Sequence, residues 1–135
     1  MAIKTIQGRH AVFSHVTLGS NDLDKSKTFY DALFTAIGGK PAFTDPKGRL
    51  VYTHNGGMLL ILKPIDGEPA THANGGTIGF RMSAEQADAW HAAGVANGGT
   101  TCEDPPGPRE GSPFYLAYLR DPDGNKLCAL DYLKN

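Results

Sequence analysis

The sequence predicts an α+β fold of two paired βαβββ modules that enclose one cavity. Three observations point there. A strand-like segment, Phe13-Ser14-His15-Val16-Thr17-Leu18, leads into a helix-like run through Phe29-Tyr30 that stops at Gly38-Gly39. About sixty residues further on, Gly76-Thr77-Ile78-Gly79-Phe80-Arg81 leads into a second run through Ala89-Trp90 that stops at Gly98-Gly99. Each copy then continues into a strand, a glycine turn and another strand. A repeat of this length implies two half-domains that build one site between them. The expected modules are about 11–64 and 76–132, within a single domain spanning 1–135.

In the first module, Ala11 to Leu18 is rich in β-branched and aromatic residues and reads as a strand. Alternation puts His15 and Thr17 on one face, and Val16 and Leu18 on the other. Asn21 or Asp22 supplies the N-cap of a helix. Leu23, Phe29, Leu33 and Ile37 recur at helical spacing, with Tyr30 and Phe34 widening the stripe. Gly38-Gly39 ends that helix, because glycine tolerates the left-handed C′ position. Arg49 to His54 and Met58 to Lys63 form a hairpin around Asn55-Gly56, where a type I′ turn needs two positive φ angles. Pro64 to Gly75 is the polar link between modules.

The second module opens with a strand from Thr77 to Met82. Ser83-Ala84-Glu85-Gln86 matches a capping box. Ala87, Trp90 and Ala93 or Gly94 give its helix a smaller apolar stripe. Thr100 to Cys102 reads as a short strand. The run 104–113 holds four prolines, which remove donors and fix φ, so it reads as a stiff surface loop. Phe114 to Arg120 is a strand, Asp121-Pro122-Asp123-Gly124 a turn, and Asn125 to Leu130 the closing strand.

Bulk properties narrow the class. A chain of 135 residues, 40% hydrophobic and 20% charged with a net charge of −1, suits one globular domain. It offers no basic surface for nucleic acid, and no apolar run approaches the roughly 20 residues that span a bilayer. Met1 to His10 lacks an apolar signal core. Two cysteines, Cys102 and Cys128, make no disulfide framework, which suggests free thiols and a cytoplasmic setting.

The segments Phe13 to Leu18, Asp22 to Tyr30 and the closing Tyr118-Leu119-Arg120-Asp121-Pro122-Asp123-Gly124-Asn125-Lys126 resemble the vicinal oxygen chelate superfamily. That superfamily includes glyoxalase I, extradiol dioxygenases, fosfomycin-resistance proteins and bleomycin-binding proteins. The likeness runs from about Phe13 to Leu130. It implies a glyoxalase-like fold, and homodimerisation is expected from it as well. In metal-dependent members, one position on the first strand and one on the last strand of each module carry His or Glu ligands. Aligning Gly57 with Gly124 maps those four positions to His15, Ile61, Thr77 and Cys128. An imidazole, an alkyl group, a hydroxyl and a thiol form a poor set for a divalent ion. No cofactor is therefore expected; a metal, if held, would use His15 and Cys128. The expected function is that of a glyoxalase/dioxygenase-like protein that binds a small polar organic molecule, an enzyme or former enzyme of the superfamily without the usual complete metal site; if it is an enzyme, lyase or dioxygenase-like chemistry is implied. A non-catalytic sequestration protein of the bleomycin-resistance type and a metal-dependent lyase or dioxygenase are the alternatives.

The expected ligand pocket comprises His15, Thr17, Ile61, Thr77, Gly79, Arg81, Tyr115 and Cys128. His15 and Tyr115 are the candidate catalytic residues. His15 could act as general base or hydrogen-bonding anchor, or be a histidine satisfied by backbone. Tyr115 could donate to a bound carbonyl or carboxylate, or simply pack at a sheet end. Alternation puts Tyr118 on another face than Tyr115. Cys128 could be a nucleophile, or a small apolar core residue. Arg81, beside the room left by Gly79, could bind a carboxylate or sit in solvent. Tyr52 and His54 alternate on one hairpin face, as a pocket rim or as flanks of the turn. Asp121 and Asp123 are read as turn chemistry.

Overall fold

The computed structural model describes residues 12–133. They form nine strands and two helices in the order β1 (Val16–Gly19), α1 (Leu23–Ala36), β2 (Phe43–Thr44), β3 (Leu50–His54), β4 (Gly57–Leu62), β5 (Ile78–Arg81), α2 (Ala84–Ala96), β6 (Thr100–Thr101), β7 (Gly107–Pro108), β8 (Phe114–Arg120) and β9 (Lys126–Tyr132). The first sheet has the order β1-β4-β3-β2 and the second β5-β9-β8-β6, with β7 added beside β8. In both sheets the first strand runs parallel to the last and the remaining pairs are antiparallel. This is the α+β, two-module architecture anticipated from the repeat. Among the described residues, no helix is long and apolar enough to cross a membrane.

Local chemistry accounts for the element ends. Asp22 caps α1 by accepting from the Lys25 amide. Ser83 and Gln86 exchange both bonds of the capping box at α2. Asn55 and Gly56 adopt φ of 48° and 84°, as a type I′ hairpin requires. The first strand begins only at Val16; Ala11 lies outside the described residues. Two short edge strands depart from expectation. β2 pairs with β3 through Phe43 and Thr44. β7 forms within the proline-rich run, where Gly107 and Pro108 pair with Leu116 and Tyr115. Proline is tolerated there because β7 lies at a sheet edge, where one side of the strand owes no donor.

Each helix covers one face of its own sheet, and the helices pack against each other. They run antiparallel: Gly94 of α2 meets Leu33, while Gly99, beyond its end, meets Phe29, nearer the start of α1. One continuous core joins Phe29, Leu33 and Phe34 of α1, Trp90 of α2, and the covered faces of both sheets. Strand register defines those faces. Leu59 and Ile61 pair with Val16 and Leu18 on the covered side of the first sheet. Leu127 and Ala129 pair with Ile78 and Phe80 on the covered side of the second. Alternation leaves Thr17, Met58, Leu60 and Leu62 on the opposite face of the first sheet. Gly79, Arg81, Tyr118, Lys126, Cys128 and Leu130 take that position in the second.

The modules meet chiefly through their two helices, and β1 and β5 flank the seam between the sheets. The β8–β9 turn fastens one end of this seam. Asn125 donates from its amide to Gly19 O at 3.3 Å, and Asp123 accepts from the Asn21 amide at 2.9 Å. Asp121, 4% exposed, accepts from the Tyr30 hydroxyl at 2.5 Å and from the Asp123 and Asn125 amides. The acidic turn therefore serves structure, as its sequence suggests, and also reaches across to the other module.

Candidate functional site on the open sheet face

A cleft of about 340 Å³ lies on the seam, walled by Thr17 to Gly19 of the first module and Gly76 to Ile78 and Asn125-Lys126 of the second. The linker residues Thr71 and Ala73 close one side. Thr17 and Thr77, named independently from the two repeats, thus share one cleft. From Lys126 the open face continues along β9 to Cys128. Cys128 pairs with Gly79 on one side and Tyr118 on the other. A Cβ built on Gly79 would meet nothing within 4 Å, so the space beside Cys128 is clear.

The groups around Cys128 are mainly donors and cations. Lys126 lies 5.0 Å from the centre of the Tyr118 ring and forms an ion pair with Glu103. Arg109 lies over the same ring at 6.0 Å. Its guanidinium is held by the carbonyls of Asp104, Pro105 and Gly107 at 2.9–3.1 Å. The proline-rich segment is therefore a cradle that fixes a cation beside Tyr118. Burial raises the Tyr118 phenol above its ordinary range, and the nearby Cys128 and Glu103 add to that. Burial likewise raises the Cys128 thiol. Both shifts work against a phenolate or thiolate here, and the Cys128 thiol donates to the Ala129 carbonyl at 3.6 Å.

Two expected pocket residues are corrected. Ile61 is 1% exposed and lies in the helix-covered core. The residue of β4 beside Thr17 on the open face is Leu60. The glycine alignment was one residue out of step, which moves a strand residue to the other face. Tyr115 is also on the covered side: its hydroxyl donates to Asp88 of α2 at 2.6 Å. That contact makes it a helix–sheet tie, and Tyr118 is the open-face tyrosine. His15 is exposed, with Nδ1 2.8 Å from Ser14 Oγ. Arg81 is exposed at the end of β5, with its guanidinium 4.6 Å from the Tyr132 ring centre. Sequence reasoning missed Lys126, Glu103 and Arg109; the alternation Lys126-Cys128 was the available signal for the first.

With the register corrected, the four positions that the resemblance maps to metal ligands carry His15, Leu60, Thr77 and Cys128. Among the described residues, no three His, Cys, Asp or Glu side chains cluster in a way that could hold a metal ion. One imidazole, one protonated thiol, one hydroxyl and one alkyl group do not fit a divalent ion.

Comparison with known proteins agrees with this architecture. Residues 12–129 match the family model of the Glyoxalase/Bleomycin resistance protein/Dioxygenase superfamily, and the chain belongs to that superfamily. A crystal structure of a glyoxalase/bleomycin resistance protein from Albidiferax ferrireducens T118 is 57% identical, with a TM-score of 0.82 over 89% of this chain and 98% of the other. The fosfomycin resistance protein FosX from Listeria monocytogenes, solved with Mn(II) and sulfate, shares the fold. It is 19% identical, with a TM-score of 0.67 over 93% of this chain and 91% of the other. A hypothetical protein from S. aureus is similar at 22% identity and a TM-score of 0.69, over 93% and 97% of the two chains. A search of curated protein sequences gives no significant match.

Proposed function

We propose that this chain is a small-molecule-binding member of the superfamily that works without the usual metal ligands. Its ligand is a small polar organic molecule with a carboxylate or similar acceptor group, held on the open face. The observation that carries this reading is the exchange of chelating groups for donors around Cys128. Leu60 and Cys128 stand where carboxylates serve metal-dependent relatives, while Lys126 and Tyr118 supply a cation and a phenolic O–H beside them. Thr17 and Thr77 add hydroxyls across the seam. Such a set favours an electron-rich acceptor by charge-assisted hydrogen bonding.

Binding is the reading we favour, because the set around the clear space beside Gly79 is made of donors and an apolar group, and the raised Cys128 thiol is a poor nucleophile. A non-catalytic, sequestering role fits that set; a metal-dependent lyase or dioxygenase is not favoured by these donors. Self-association into a homodimer, and a cytoplasmic setting, belong to the same proposal.

The test is thermal unfolding of the purified protein with a panel of small hydroxy acids and dicarboxylates, alongside elemental analysis. A ligand at 100 times its Kd stabilises by about 2.7 kcal/mol. Lys126→Ala and Tyr118→Phe should each weaken that response. One equivalent of tightly held metal that is lost in His15→Ala would refute the reading, as would catalytic turnover that depends on such a metal.

A further inference from the structure

A second cavity, of about 310 Å³, lies at the opposite end of the seam from the fastened turn. It opens between the Asn55-Gly56 hairpin, the C-terminal end of α1 and the edge of β5. Its aromatic walls, Phe34, Tyr52 and Phe80, belong to the helix-covered side, while Met58, Gly79 and Arg81 line its rim from the strand edges; Tyr118 and Cys128 are not among its walls. Phe34 and Tyr52 stack at 4.8 Å with an interplanar angle of 12°, and Phe34 meets Phe80 and His54 edge-on at 6.3 and 6.1 Å. These four rings make an aromatic box. Its chargeable side chains are His54 and Arg81, and no acidic residue lines it.

We infer that this cavity is a binding site for a flat, mostly apolar ring compound bearing one carboxylate. The stacked walls suit a planar ring, since aromatic pairs prefer offset-stacked and edge-to-face contacts. The volume is at the small end of the range for ligand pockets, about 300–1,000 Å³. No described group hydrogen-bonds the His54 ring, which leaves a nitrogen to meet the ligand's polar end. Arg81 projects from the other face of β5 and stacks on Tyr132, so it contributes to the rim, and His54 is the group placed to meet the carboxylate. The asymmetry of the seam supports this assignment. At its other end Asn125 bridges to Gly19; here the hairpin places Gly57-Met58 beside β5 and leaves room. The inference does not depend on the proposed role of the open face.

The experiment uses 2-naphthoate as probe, with succinate as a polar comparison, and follows amide shifts by NMR and affinity by calorimetry. Gly57 lies on the covered side of β4, and a Cβ there meets only the His54 carbonyl at 3.5 Å, an ordinary contact. Gly57→Trp should therefore fold and fill the cavity. The expected result is 2-naphthoate binding that shifts the amides of Gly57, Ile78 and Phe80 and weakens about tenfold or more in Gly57→Trp, by loss of the space for the ring. His54→Ala, which keeps the cavity open, should weaken it less and serves as the second variant. No binding, binding unchanged by both variants, or loss in Lys126→Ala instead would overturn the inference. Failure of succinate alone to bind would count against the open-face proposal and not against this one.

Discussion

Asp121 shows how one side chain ties the modules together. Its two oxygens accept four hydrogen bonds, from the Asp123 and Asn125 amides, the Asn125 side chain and the Tyr30 hydroxyl. Tyr30→Phe removes one donor and leaves the carboxylate well satisfied, so it should cost about 1–2 kcal/mol. Asp121→Ala strands several buried donors and should cost about 3 kcal/mol or more. Urea unfolding checks both; equal costs would contradict this account. The same phenol makes stability depend on pH. Burial, then the Asp121 charge, hold Tyr30 well above the ordinary tyrosine value of 10.0. Burial, then Asp31, raise Tyr52 in the same direction. In the unfolded chain both titrate near the ordinary value. Their contribution is thus complete below about pH 10 and is lost as pH rises from there towards the folded values. Each fully affected group contributes a slope of about 1.4 kcal/mol per pH unit. Tyr30→Phe should flatten the alkaline loss without abolishing it. The turn role of Asp121 was legible because proline and glycine surround it. Its bond to Tyr30, 91 residues away, was not, because no local pattern encodes a partner at that distance.

Among the elements, α2 depends on close approach more than on an apolar stripe. A Cβ on Gly94 would lie 2.5 Å from Leu119 Cδ1 and 3.1 Å from Leu33 Cδ2. Leu119 is fully buried, so it has little room to move. In an exposed helix Gly→Ala stabilises by roughly 1 kcal/mol. Here Gly94→Ala should destabilise, by about 1–3 kcal/mol of overpacking. A raised melting temperature would show that the helices can part at no cost. The helices and long strands were legible from periodicity, capping residues and the Asn-Gly turn. The two-residue strands β2 and β7 were not, since each exists only through its neighbour. Tyr115 and Tyr118 expose a further limit. Alternation says that they take opposite faces, but only the Asp88 contact from α2 says which face is covered.

The whole molecule reads as two similar halves set around a seam, and the equivalence of positions across it can be put to a direct test. Gly79 pairs with Cys128 in one half as Thr17 pairs with Leu60 in the other. Leu60, rather than Ile61, is then the counterpart of Cys128. The choice of Ile61 came from matching glycines in two turns of different geometry, where a slip of one residue is invisible in the sequence and inverts the face. The inference that an alkyl group occupies this position survives the correction, because Leu60 is as poor a ligand as Ile61. If the corrected register holds, chelating groups can be restored. Leu60→Glu, Thr77→His and Cys128→Glu together with native His15 should bind Mn²⁺ or Zn²⁺ stoichiometrically, read by calorimetry. Replacing Leu60→Glu by Ile61→Glu in that set would bury a carboxylate in the apolar core, and should cost at least about 3 kcal/mol in urea unfolding and yield no metal binding. Metal binding by the Ile61 set and not by the Leu60 set would reverse the assignment of the open face, because the two positions project from opposite sides of the same strand.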